Sequence, residues 1–112
     1  MLDYTNTEKI RRLNDNFRRG LVFGGKVLLT RSVAALADHD KTALLRNVQT
    51  FDSFTADNDP HGEHDFGAIE HTGVRYFWKI DYYDLANKFA SDDAANPAIT
   101  NRVLTIMRAD EY

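Results

Sequence analysis

The period of the apolar positions changes along the chain. Ile10, Leu13 and Phe17 recur at i, i+3 and i+7 in the first segment, a narrow stripe on one helix face. Thr5 and Glu8 have the capping-box spacing that opens such a helix, and Gly20 with Gly24-Gly25 closes it. Lys9, Arg11, Arg12, Arg18 and Arg19 occupy much of the remaining surface. Lys26 to Thr30 is short, apolar and bounded by glycine, which predicts a strand. Ser32 to Ala37 has no decisive period. Asp38 or Asp40 can cap a second helix whose apolar face is Leu44, Leu45, Val48 and Phe51, with Phe54 as an extension. Asp57 to Glu63 is polar punctuation that no regular element accommodates throughout.

The second half alternates with period two. Residues 64–70 read as a strand, His71-Thr72-Gly73 as a turn, and Val74 to Tyr83 as a long second strand. In that strand Val74, Tyr76, Trp78, Ile80 and Tyr82 form the natural core face. Arg75, Phe77, Lys79, Asp81 and Tyr83 point the other way, mixing charge with aromatic surface. Residues 85–101 read as a loop with one helical turn, and Arg102 to Ala109 as a last strand, apolar on both faces and so central in the sheet. The expectation is an α+β fold: two helices packed on a small antiparallel sheet of three to four strands, with residues 1–112 as a single domain.

Composition narrows the chemistry. The chain has no cysteine, which excludes a disulfide scaffold and a thiolate zinc site. No apolar run approaches the ~18–20 residues of a membrane span, and the polar start lacks the layout of a secretion signal. A cytoplasmic protein without membrane contact is expected. The net charge is −3, unevenly spread. Residues 1–56 carry nine Lys/Arg against six Asp/Glu; residues 57–112 carry five against eleven. Were the fold to keep the halves apart, the molecule would have a basic and an acidic end.

Asp57, Asp59, His61, Glu63, His64 and Asp65 form the densest functional cluster. The calcium-loop pattern fails on it, because Ala68 stands where the bidentate carboxylate belongs. A metal site built on His61, His64 and Asp65 would need ligands from elsewhere, such as His71, Asp81 or Asp84, and no cofactor is expected. A restriction-type nuclease core needs an acid two residues before its lysine, and Phe77 is there instead. No serine sits in a nucleophile elbow, and no glycine-rich phosphate loop opens a helix. An enzyme of hydrolase or nuclease type would have to draw on His64, Asp65, Lys79 and Asp81, with His61 or Glu63 for acid–base chemistry. The arginines of the first segment suit phosphate contact, but Asp3, Glu8 and Asp15 dilute them, so nucleic acid is the lesser partner class. The second face of the long strand, with Phe77, Tyr83, Arg75 and Lys79, suits binding to another protein.

Three stretches also carry a resemblance. Asn58 to Gly67 (NDPHGEHDFG), Phe77 to Asp84 (FWKIDYYD) and Arg102 to Met107, with the preceding Phe51-Asp52-Ser53-Phe54-Thr55 and a terminal Glu111-Tyr112, resemble a small alphaproteobacterial family. Its members are domains of unknown function often found on plasmids and mobile elements. The resemblance implies no catalytic residues. It does imply an accessory factor that binds or inhibits another protein, in its most specific form an anti-defence (anti-CRISPR-like) protein.

Overall fold

A computed structural model describes residues 5–20 and 25–112. Gly24, and the chain start read above as polar, lie outside the described residues. The elements are α1 (Asn6–Gly20), β1 (Gly25–Leu29), α2 (Arg31–Ala34), α3 (Asp38–Gln49), β2 (Phe66–His71), β3 (Val74–Tyr83) and β4 (Asn101–Arg108). A 3₁₀ turn, Ala109–Glu111, follows β4.

The strand order is β1-β4-β3-β2, an α+β architecture. The β2–β3 and β3–β4 pairs are antiparallel, but β1 runs parallel to β4, so the sheet is mixed. Nothing in the local sequence of β1 sets that direction; it follows from the chain passing through two helices and a hairpin before β4 returns beside it. Central β4 is buried on both faces, as its double apolar pattern requires.

The core lies between the sheet and the helices. Phe17, Val33, Leu44 and Val48 meet Trp78, Ile80, Leu104 and Ile106. The core face of β3 is the alternating set read from the sequence, with Tyr76, Trp78 and Ile80 buried. Gly67, paired with Trp78, makes room for the indole: a Cβ there would stand 2.7 Å from Trp78 Cε2 and 2.9 Å from Phe51. The β2–β3 turn is the two residues Thr72 and Gly73, at φ 51° and 79°. Both lie in the left-handed region, as in the primed turns that match strand twist.

Three local expectations are corrected. α3 is capped at Ala37, which offers no side-chain cap; Asp38 and Asp40 sit in the first turn, where their charge suits the helix dipole. α3 stops at Gln49, so Phe51 and Phe54 reach the core from the following loop, packed edge-on against Trp78. Residues 85–101 contain turns and one isolated bridge, Tyr83 to Ala90, but no helix.

The largest departure concerns α1. Thr5 Oγ1 accepts from the Glu8 N–H at 3.1 Å, as the cap spacing implied. The buried positions of the helix, however, are Asn14, Phe17 and Arg18. Arg18 is 1 % exposed and donates to the carbonyls of Val48 (2.8 Å), Gln49 (3.2 Å) and Phe51 (2.8 Å). It supplies the donors that the last turn of α3 lacks, at the end of the helix where positive charge is favoured. Its guanidinium also lies over Trp78 at 5.2 Å and Phe54 at 5.5 Å. Burial pulls its pKa down, and the bond to Asp15 opposes this. Arg18 is therefore withdrawn from the solvated basic face expected of this helix.

Candidate functional site

The three α-helices pack on one side of the sheet, and no α-helix among the described residues covers the other, the open face. Val103 and Met107 are nonetheless buried within it, and Tyr112 packs on its Phe66 and Phe77. Strand parity and register place its residues in rows. Lys26, Val103 and Asp81 form one row; Leu28, Thr105, Lys79 and Phe66 the next; Met107, Phe77 and Ala68 the third; Arg75 and Glu70 pair beyond them. The four residues proposed from sequence for binding, Phe77, Tyr83, Arg75 and Lys79, thus share this face.

Lys79 Nζ and Asp81 Oδ2 are joined at 2.8 Å. The pair stands between two concavities and lines both. One, about 380 Å³, is walled by Asp57, Pro60, His61, Asp65, Phe66 and Tyr112. The other, about 360 Å³, runs across Lys26, Leu28, Thr105, Tyr83 and Asn87. Phe77, Phe66 and Tyr112 form an aromatic cluster, with centroids 5.1 to 6.0 Å apart. Arg75 lies over Phe77 at 5.3 Å. Beyond β3, Leu85 and Phe89 are 59 % and 72 % exposed in the connection to β4.

The electrostatics follow from this packing. The hydrogen bond from Lys79 to Asp81 raises the lysine pKa and fixes it as an ammonium, a poor base. Burial raises the Asp65 pKa, and the neighbouring Glu63 and Asp59 add to the effect.

The cluster expected for an enzyme divides. His61, Asp65, Lys79 and Asp81 meet around the first concavity. His64 does not join them. Its backbone takes φ 57°, which turns the side chain toward the helices. There it stacks on Phe54 at 3.7 Å, and its Nδ1 lies 2.9 Å from Asp15 Oδ1. Asp59 accepts from the His64 N–H at 3.1 Å and approaches Nε2 at 3.7 Å. Asp15 bridges His64 and Arg18, so this half of the motif ties the loop to α1.

Glu63 is also turned inward. Its Oε1 accepts from the Tyr82 hydroxyl at 2.8 Å, which accepts in turn from Asn14 at 2.8 Å. Asn14 Oδ1 accepts from Arg102 Nε at 2.7 Å, and Arg102 also donates to the Ala94 carbonyl. Burial drives the Tyr82 pKa up and the Arg102 pKa down.

The other metal-ligand candidates are dispersed as well. His71 bonds Asp40 on α3 at 2.8 Å, and Asp84 accepts from the Lys88 N–H. Among the described residues, no three His, Asp or Glu side chains are placed to share a metal ion. The basic and acidic halves interlock: Arg11 donates to the Gly62 carbonyl, and Asn14 to that of Glu63. Sequence reasoning missed Lys26, Leu28, Phe66 and Tyr112 as members of the open face. Their membership depends on register and on the parallel pairing of β1, which parity within one strand does not reveal.

A family model described as a protein of unknown function (DUF3768) matches residues 29–111. The chain belongs to the DUF3768 family. The match runs from the end of β1 to the 3₁₀ turn, so it takes in the open-face residues of β2, β3 and β4. No curated protein and no solved structure matches the chain. No helix among the described residues is long and apolar enough to cross a membrane.

Proposed function

We propose that this DUF3768 protein is a small non-enzymatic binding module, cytoplasmic, that engages another protein through the open face of its sheet. The observation that carries this reading is that face itself. Phe77 and Tyr83 flank a Lys79–Asp81 pair between two concavities, with no α-helix among the described residues laid over them. Aromatic anchors beside fixed charges are the usual makeup of energetic centres in protein interfaces. The first concavity has carboxylates at Asp57, Asp65 and Asp81 and ring walls at Phe66 and Tyr112. A lysine or arginine side chain of the partner is its chemical complement. The inhibitory, anti-defence form of this function rests on the family resemblance and on the mobile elements associated with it.

The hydrolase or nuclease alternative has less support. Its His64 stands among the helices, away from the His61, Asp65, Lys79 and Asp81 that line the first concavity. Its other acid–base candidate, Glu63, is turned inward onto Tyr82, and its lysine is held by Asp81. Affinity capture of the tagged protein from a native lysate, with mass spectrometry of co-purifying chains, tests the binding reading. A near-stoichiometric partner whose retention falls at least tenfold with Phe77→Ala and Tyr83→Ala is expected. Unchanged retention by both variants would place the interface elsewhere. Nuclease assays on the same preparation test the alternative.

A further inference from the structure

β1 is an edge strand, and its backbone shows which residues face outward. Thr30 N–H donates to the Ile106 carbonyl at 3.1 Å, in register with the parallel ladder. By alternation Lys26 and Leu28 turn their backbone groups to β4, leaving Gly25, Val27 and Leu29 to present theirs outward. No described residue hydrogen-bonds to that outer edge. The side chains are also uncovered: Leu28 is 49 % and Leu29 39 % exposed. Proteins usually blunt such an edge with charge, proline or a bulge. The opposite edge, β2, includes Glu70, and Tyr112 packs over its Phe66. The outward positions of β1 carry neither charge nor proline.

We infer that β1 is a homodimerisation edge, pairing antiparallel with β1 of a second copy about a two-fold axis through Val27. This does not rest on the open-face reading, but Lys26 and Leu28 also line the second concavity of that face, so the Leu28 variants are read by mass in the absence of any partner. The segment is self-complementary in that register. Val27 meets its own copy, and Leu29 lies opposite Gly25, which brings no side chain to the seam; the space where its Cβ would stand is taken by the Arg102 carbonyl and the Phe17 ring of the same chain. About six backbone hydrogen bonds close the seam. Lys26 lies opposite Leu28, so its aliphatic stem covers the exposed leucine while the ammonium reaches water. The product is a continuous eight-stranded sheet with both open faces on one side.

Sedimentation velocity of the full chain from micromolar to millimolar concentration reads the mass directly. A monomer–dimer equilibrium is expected. The register gives it a sign test, because a charge at position 28 would face the second copy's lysine. Leu28→Glu creates two attractive cross-strand pairs and Leu28→Lys two repulsive ones. At roughly 0.2–1 kcal/mol per pair, the Lys variant should dissociate about tenfold more readily than the Glu variant. Val27→Pro removes an outward N–H together with a side chain packed against the core, so Val27→Ala, which loses the packing alone, is its control. The Pro variant should be monomeric with the circular dichroism spectrum of the Ala variant, and the Ala variant should still dimerise. A chain that stays monomeric throughout overturns the inference. So does a dimer that both charges weaken equally, or that neither affects.

Discussion

Arg18→Met tests whether the buried guanidinium stabilises this fold. Methionine keeps the apolar contact with Trp78 and Phe54 but donates nothing. The carbonyls of Val48 and Phe51, each 2.8 Å from Arg18 Nη1, then lose a donor at the end of α3, and Asp15 loses one of its two partners. An acceptor buried without a partner costs about 1–3 kcal/mol. The Phe51 carbonyl so stranded, the Val48 carbonyl left with only the Phe51 N–H at 3.4 Å, and a broken buried ion pair place the loss at about 3–5 kcal/mol. That is a large part of the 5–15 kcal/mol expected for a domain, roughly. Urea unfolding followed by the fluorescence of the sole tryptophan, Trp78, and by circular dichroism measures it. The midpoint should fall by about 2 M at a typical urea slope, with the slope itself unchanged. Arg18→Lys should fall between, since one ammonium cannot reach three carbonyls and a carboxylate. A loss below about 1 kcal/mol for Arg18→Met would refute the reasoning, because the bonds would then offset only the cost of burying the charge.

Other outcomes follow from single contacts. Gly67→Ala should destabilise by about 1–3 kcal/mol in the same unfolding assay and shift the Trp78 emission, since its Cβ meets the indole and Phe51. Thr72→Asn should stabilise by about 0.5–1 kcal/mol, because asparagine accepts the positive φ that a β-branched residue resists. The Glu111 carboxylate is held down to about 2, chiefly by the Thr30 hydroxyl and also by the backbone N–H groups of Arg108 and Ser32. Its folded pKa lies below the unfolded value, so its stabilisation is present above about pH 4.5 and is lost as pH falls toward 2. Glu111→Gln should flatten that part of the acid-unfolding profile; an identical profile would show that the carboxylate bonds do not act.

The sequence alone determined the class of fold and most of its elements. Alternation in Val74 to Tyr83 names the residues of β3 on each face, and the double apolar pattern of β4 places it at the sheet's centre. These are local properties: a strand's period is fixed by its own backbone, so they survive whatever surrounds it. The polar skeleton was not legible. Asn14 and Arg18 look like solvated helix positions, yet they are buried because distant carbonyls, a tyrosine hydroxyl and carboxylates come to meet them. The His/Asp motif divides because His64 takes a left-handed backbone conformation, which only the surrounding contacts compensate. The open face spans three parts of the chain, and its concavities depend on register, on the parallel docking of β1 and on the path of Tyr112. Such groupings are decided by pairing between segments far apart in sequence, where no local period records which side chains will meet.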